Sequence, residues 1–473
     1  MAPAVGSCLG YVSTERWVAG YLAAVNSGRV TVVGGGFAGC EAAWAAAHLG
    51  AEVTLYEMRP TVMTPAHSTH LLAELVCSNS FKSNDPESPP GQLKSEMVAL
   101  GSVMIPSALR NSVPGGSALA VDREKYAAEV TSLIEGHPRI EVVRREWTPD
   151  LAKGEPTVIA TGPLTSPSLS DWIASVTGEK HLYFYDAVSP TVMADTVDRS
   201  VVWEQSRYDK GEAAYLNCPM TKEEYERFVD ALLAAEQVTP HDFEEGKYFE
   251  GCMPIEEIAR RGRNSLSFGN FKPVGLTDPR TGRRPHAVIQ LRPENREKTM
   301  YSLVACQTRM KWGAQAEVFR LVPGLESAEF VRFGVMHRNT YLDSPRLIDQ
   351  NLRFGWRGGE EPFPLFFAGQ ITGVEGYVES GATGILAGIN AFRASSSQPL
   401  VSPPRTTALG SLLAHVTNSE AKEFSPMNIN WGLFPPLPDP PRDKAVRRKM
   451  QIELARRSFE DWAAAISFVP ALR

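Results

Sequence analysis

RVTVVGGGFAGCEAAWAAAHLGAEVTLYEMR, Arg29 to Arg59, is the stretch on which the fold turns. The β-branched run Val30 to Val33 predicts a short buried strand. It ends in Gly34-Gly35-Gly36-Phe37-Ala38-Gly39, an alanine-rich helix follows to about Leu49, and a second strand, Val53 to Tyr56, closes at Glu57. Gly34, Gly36 and Gly39 have G-x-G-x-x-G spacing, which serves a tight turn, close backbone approach to a pyrophosphate, and close helix–strand packing. The helix start offers unpaired N–H groups and a positive dipole end to phosphates. Glu57 falls where an acid accepts hydrogen bonds from ribose hydroxyls, and it disfavours a nucleotide with a 2′-phosphate. A glycine triplet alone says little. Strand, glycines, helix, strand and acid in this order predict a dinucleotide site.

Two later segments bear on which dinucleotide. Pro156 to Gly162, PTVIATG, is an apolar strand closing in Ala160-Thr161-Gly162. Pro364 to Gln370, PLFFAGQ, is another, closing in Gly369-Gln370 ahead of Gly373, Gly376, Gly381 and Gly384 and a small-residue helix from Ala382 to Ala391. An NAD-only domain has no reason to regain a strand so late in the chain. The pattern resembles the two-dinucleotide-binding-domain flavoproteins, which makes FAD the expected cofactor and implies contacts from Arg59, Thr161, Gly162, Gly369 and Gln370.

Working outward, the chain reads as one discontinuous Rossmann-like FAD-binding domain of α/β class, with an inserted α/β domain. The expected pieces are a 1–28 extension, a first FAD part at 29–164, an insertion at 165–325, and a return segment at 326–473 with a basic C-terminal helix. Residues 122–135 predict a helix and 140–143 a strand. The prolines between Arg59 and Gly116 predict mostly loop. Thr221-Lys222-Glu223-Glu224 predicts a capping box opening a helix through Ala235. LFPPLPDPPRD, Leu433 to Asp443, reads as a rigid linker. The first 28 residues lack a signal-peptide pattern and read as an appended tail, with Val25 a candidate alternative start.

The 473 residues are 43% hydrophobic and 22% charged, which excludes a disordered chain. No apolar run reaches the roughly 18 residues of a membrane helix. Six scattered cysteines, with no C-x-x-C pair, read as reduced thiols of a cytoplasmic protein and predict no metal site. The net charge of -6 hides an asymmetry. Residues 251–360 hold 18 Lys+Arg against 11 Asp+Glu, while the rest holds 30 against 43. Arg442 to Arg457 adds seven bases against two acids. Such stretches suit a polyanion, or they are solvated faces laced with ion pairs.

The motifs VVGGGFAGCEAAW, LYEMRP, ELVCSNS, PGGSALAVDRE, VIATGPLTS, YLNCPMTKEEY, FEGCMPIEEIARRG, KPVGLTDPRTG, GVMHRNTY, GVEGYVESGATG and NWGLFPP resemble one family, TrmFO, the folate- and FAD-dependent tRNA (uracil-5-)-methyltransferases. The likeness runs from about Arg29 through nearly the whole chain. FKSNDPESPPG, Phe81 to Gly91, departs from the pattern and is expected to reshape a loop near the flavin. The resemblance implies transfer of a one-carbon unit from methylenetetrahydrofolate, through FAD, to carbon 5 of uridine 54 in the tRNA T-loop. NADH or NADPH would be the reductant. It implies that Cys252 attacks the uracil and that Cys77 is a second active-site thiol near the flavin.

The chemistry agrees with those residue types. Carbon 5 of uracil is a poor nucleophile until a group adds at carbon 6, and a thiolate suits that addition. Glu257, Arg260 and Arg261 follow Cys252 closely, and positive charge there would favour its thiolate. Cys40 is expected to pack its helix on the sheet. Trp312 and Tyr377 suit either stacking on a pterin or base, or core packing. His67, His70 and His337 read as hydrogen-bonded structural residues. The alternatives are a flavin-containing tRNA-binding protein without essential methyltransferase activity, and a small-molecule FAD oxidoreductase.

Overall fold

The computed structural model describes residues 28–178, 182–187, 189–209, 212–238, 253–334, 336–356, 361–418, 420 and 424–466. The opening strand β1 (Arg29–Val33) pairs in parallel with β2 (Glu52–Tyr56), and helix α1 (Phe37–His48) crosses between them. Strands Ile140–Val143, Thr157–Ile159 and Leu365–Phe367 complete a five-stranded parallel sheet. In space the order is Leu365–Phe367, Thr157–Ile159, β1, β2, Ile140–Val143. The late strand sits at the edge, with Phe366 opposite Val158, so the domain is discontinuous and its last strand returns from far along the chain.

Helix Tyr377–Ser395 follows that strand and packs directly on α1, backbone against backbone. A Cβ on Gly384 would stand 2.2 Å from the Ala38 carbonyl oxygen, and one on Gly388 would stand 2.2 Å from that of Ala42. Only small residues on both helices allow this approach.

The stretch after Arg59 corrects the sequence reading. It holds helices α2 (Pro89–Ala99) and α3 (Met104–Arg110) and a strand, Ser80–Ser83. Pro89 and Pro90 occupy the first turn of α2, where a missing N–H costs nothing, and Ser88 caps it through Gly91 N. Proline here starts helices. Two buried glutamates hold these segments. Glu41 on α1 accepts from Ser102 Oγ and from the N–H groups of Val103 and Met104. Glu96 on α2 accepts from Ala408 and Leu409 N–H at 2.8 Å, capping helix Ala408–Val416. Helix α4 (Arg123–Glu135) is capped by Asp122.

A second core lies around a six-stranded antiparallel sheet ordered Trp203–Glu204, Leu216–Met220, Ala287–Pro293, Met300–Leu303, Thr191–Met193, Phe330–Arg332. Its last strand lies beyond residue 325, the expected end of the insertion. Helix Lys222–Ala234 has the capping box complete and buries Tyr225, Phe228, Val229 and Leu232, one helical stripe, on this sheet. Cys218 and Cys306 are buried in this core. The C-terminal helix Lys444–Ala465 starts at an Asp443 cap and buries Ile452, Ala455, Phe459 and Trp462. Among the described residues no helix is long and apolar enough to cross a membrane.

Candidate functional site

The C-terminal ends of the parallel strands open on a cleft lined by the glycine loop and the segments that follow the strands. Its floor is the loop Gly34 to Ala38. Tyr56, Glu57 and Arg59 line one end, Thr161 and Gly162 line a side, and Gly369, Gln370, Tyr377 and Ser380 line the other end. Gly39 sits behind the loop: a Cβ there would fall 1.7 Å from the Gly34 carbonyl oxygen. At Gly36 the opposite holds, since a Cβ would meet nothing within 4 Å. Gly36 is also the N-cap of α1 and brings no side-chain cap. The cleft therefore presents an open, uncapped helix N-terminus, which suits a pyrophosphate. A dinucleotide such as FAD fits this donor set; bound in the direction the sequence reading expects, its adenosine would face Glu57 and its flavin would face Gly369, Gln370 and Tyr377.

Glu57 is 5% exposed and already engaged. Its Oε2 accepts from Gly35 N–H at 2.8 Å, and its Oε1 accepts from Arg59 N–H and Nε, each at 3.0 Å. Burial pushes its carboxyl upward, but Arg59 and the Gly35 N–H outweigh burial and hold it below the usual range. Arg59 Nη2 adds a fourth bond, to Oε2 at 3.3 Å, so the carboxylate's acceptor sites are occupied and a ribose hydroxyl would have to share or displace one of them. Arg59 continues to Glu74 Oε2 at 3.0 Å, so the adenosine end of the cleft is braced by a Glu57–Arg59–Glu74 chain. Motif spacing does not single out Glu74. Its signal is position: a buried arginine needs a second acid, and Glu74 is the one at hand in the ELVCSNS segment.

Cys77 lies three residues beyond Glu74, adjoining Val76 of the cleft wall. Its N–H donates to Tyr377 Oη at 2.9 Å, and its carbonyl accepts from Arg123 Nη2 at 2.9 Å. Tyr377 in turn stacks on Phe37, with centroids 4.3 Å apart and planes at 15°. The divergent stretch contributes Lys82, whose Nζ pairs with buried Glu379 on the Tyr377–Ser395 helix at 2.6 Å. So the half-buried thiol, the glycine loop and the flavin-end helix share one corner. Cys252 lies outside the described residues, as does the side chain of His337. Just after Cys252, Arg260 pairs with Glu257, and Arg309 pairs with the same carboxylate at 2.5 Å. The charge of Arg260 is thus directed onto a carboxylate that it shares with Arg309.

Other expectations resolve individually. The Cys40 thiol is fully buried and donates to the Gly35 carbonyl at 3.3 Å, a packing role. His67 Nδ1 meets Thr64 Oγ1 at 2.6 Å. Trp312 is 63% exposed and stacks on Phe333. Basic clusters divide. Arg263 and Arg280 are paired with Asp230 and Asp278. Among the described residues, Arg261, Arg283, Arg284 and the bases of the C-terminal helix form no ion pair.

Comparison with known proteins shows the family. A family model described as GIDA, glucose inhibited division protein A, matches residues 29–399. The methylenetetrahydrofolate–tRNA-(uracil-5-)-methyltransferase TrmFO of Koribacter versatilis is 53% identical over 440 residues, covering 92% of this chain and 98% of the relative. That of Geobacter sulfurreducens is 53% identical over 441 residues, covering 93% and 100%. Among solved structures, Aquifex aeolicus GidA aligns with TM-score 0.64 at 16% identity over 93% of this chain and 76% of that one, which shows a common fold. The chain belongs to the glucose inhibited division protein A family and, within it, to the TrmFO proteins.

Proposed function

We propose that the protein methylates carbon 5 of a tRNA uracil, uridine 54 of the T-loop, with methylenetetrahydrofolate as one-carbon donor, FAD as resident cofactor and NADH or NADPH as reductant, in the cytoplasm. Relatives more than half identical over nine-tenths of the chain carry that name. The observation that carries the reading onto this chain is the corner itself: Cys77 is tied by Tyr377 to the flavin end of a dinucleotide cleft.

The glycine loop and the α1 N-terminus would hold the pyrophosphate. Glu57 and Arg59 would orient the adenosine, and Gly369, Gln370 and Tyr377 would border the isoalloxazine. When bound, FAD supplies the electrons and carries the one-carbon unit. Cys252, as thiolate, adds to carbon 6 of the uracil, and the electron pair moves onto carbon 5 and its neighbouring carbonyl. Carbon 5 then bonds the incoming carbon. A base removes the remaining proton at carbon 5 as the bond from the new methylene to its carrier breaks, the carrier keeping the electron pair; a hydride equivalent, drawn ultimately from NAD(P)H, completes the methyl group, and the Cys252 sulfur leaves as the double bond between carbons 5 and 6 is restored. Cys77 is the thiol available beside the flavin. The unpaired bases of the C-terminal helix, with Arg261, Arg283 and Arg284, give the polyanion a surface.

The test is direct. Purified protein with unmodified tRNA, methylenetetrahydrofolate and NAD(P)H should form 5-methyluridine, and Cys77→Ala and Cys252→Ala should each abolish it. Full product without folate, or full activity in Cys252→Ala, rejects the assignment.

A further inference from the structure

Among the described residues, the junction between the two cores carries more positive charge than it compensates. Arg123 leaves α4 and reaches both ways. Its Nη1 donates to the Leu75 carbonyl at 2.6 Å and its Nη2 to the Cys77 carbonyl at 2.9 Å, while its Nε and Nη2 engage the Glu294 carboxylate across the junction. Asn79 bridges the same gap, donating to the carbonyls of Val121 and Pro293. Glu294 is 5% exposed, and two more guanidiniums act on it, those of Arg292 and Arg332. Arg292 is buried, and Arg332 is held by Thr191 Oγ1 at 3.4 Å. The Nε atoms of both lack a hydrogen-bond partner among the described residues.

Three buried or half-buried guanidiniums against one carboxylate is an arrangement that costs free energy unless another anion shares the space. Arg123 and Arg332 both act electrostatically on Cys77 and on Tyr377. Among the described residues, Arg123 from α4 reaches the Cys77 backbone and Tyr377 from the flavin-end helix accepts from it, while Glu294 with Arg292 from the second sheet, and Arg332 from its edge strand, are the charged groups joined to that contact through Arg123. Lys82 and Glu379 compensate each other in an ion pair. Glu74, three residues upstream, is held by Arg59.

We propose that this interdomain cluster is the counter-charge of Cys77: the arginine surplus over Glu294 keeps the thiol in its thiolate form, and because Arg292 and Arg332 belong to the second domain, the nucleophilicity of Cys77 depends on that domain being docked. Arg332 and Glu294 are then positioning residues of opposite sign. The inference rests on the reading above only in taking Cys77 as an active-site thiol.

The experiment measures the thiol itself, without turnover. Full-length protein is alkylated with iodoacetamide across a pH series, and modification of the Cys77 peptide is followed by mass spectrometry. The expected midpoint lies below the ordinary thiol value of about 8.5. Arg332→Gln should raise the midpoint, slowing alkylation near neutrality by roughly three- to tenfold. Glu294→Gln should lower it, and Arg332→Lys should restore the native profile. A merely structural role moves the Gln variants in the same direction. That result, or an unmoved midpoint in Arg332→Gln, overturns the inference. If Glu294→Gln does not fold, the contrast between Arg332→Gln and Arg332→Lys decides alone. Failure to form 5-methyluridine with the expected midpoint shifts rejects the proposed activity and leaves this inference standing; normal methylation with no shifts does the reverse.

Discussion

The nucleotide cleft and the Cys77 corner adjoin, yet they are made of opposite materials. The cleft is backbone: a glycine loop, an uncapped helix end, and one short acidic chain from Glu57 to Glu74. The corner is buried side-chain charge assembled from α4, two strands of the second sheet and the flavin-end helix. Backbone sites tolerate no added atoms, whereas charge sites tolerate no missing partner. The two should therefore break differently.

The cleft should break hardest. Gly39→Ala places a methyl 1.7 Å from the Gly34 carbonyl, a clash no rotamer relieves. The expected cost is more than about 3 kcal/mol, with loss of bound flavin. Thermal unfolding and the flavin absorbance of the purified protein check both. A folded, yellow Gly39→Ala protein would mean that the loop is looser than its geometry states.

The corner comes next. Arg123→Met leaves Glu294 buried opposite only Arg292 and Arg332 and frees two carbonyls, for an expected loss of about 3–5 kcal/mol. The double variant Arg123→Met/Glu294→Met should cost more than the single one, because Arg292 and Arg332 are then left at the junction with no carboxylate opposite them. Denaturant unfolding of the native protein, the two single variants and the double variant closes this cycle. If the double variant is the more stable, Arg292 and Arg332 do not depend on Glu294, and the corner differs less from the cleft than its materials suggest.

Acid and base separate the regions further. Burial raises Glu41 and Glu96 of the first core to about 7, against the hydrogen bonds from the helix starts they cap. Their folded-state values exceed the unfolded one of 4.5. Their contribution is thus full below 4.5 and is lost as pH rises through about 7. Glu294 is the reverse: burial pushes it up, but Arg123 and its neighbours hold it at about 2, so its contribution is full above 4.5 and is lost as pH falls from there through about 2. Glu96→Gln should flatten the stability curve between these limits by up to about 1.4 kcal/mol per pH unit. Glu294→Gln should instead flatten the acid limb. Urea unfolding across pH reads both slopes, and an unchanged slope in Glu96→Gln would show that this carboxyl does not titrate with folding.

The same contrast explains what the sequence discloses. Gly34 to Arg59 can be read directly because strand, loop, helix and acid are consecutive, and their spacing is the geometry. Gly369 and Gln370 are readable because a G-x turn after an apolar strand is again local. The link from Cys77 to Tyr377 and Arg123 is not, because hydrogen bonds across hundreds of residues leave no spacing to read. Arg260 misleads for the same reason. Next to Cys252 it reads as free positive charge, yet it is directed onto Glu257, and Arg309, distant in sequence, shares that carboxylate. The prolines after Arg59 mislead differently, since composition says turn while Ser88 and an N-terminal proline pair say helix start.

A third region, the C-terminal helix, tests whether charge without burial behaves like either. Arg456 and Arg457 are exposed and unpaired among the described residues, while the buried stripe Ile452, Ala455, Phe459 and Trp462 anchors the helix. Arg456→Gln/Arg457→Gln should therefore change stability by less than about 0.5 kcal/mol, the smallest effect of the series. If the helix meets tRNA, every phosphate deprived of its arginine weakens binding similarly for all sequences and reduces the slope of log affinity against log salt by roughly one. Binding titrations at several salt concentrations give that slope. An unchanged slope assigns these arginines to solvent, and the tRNA surface then falls to Arg261, Arg283 and Arg284 in the second domain, the domain that also supplies the charge beside Cys77.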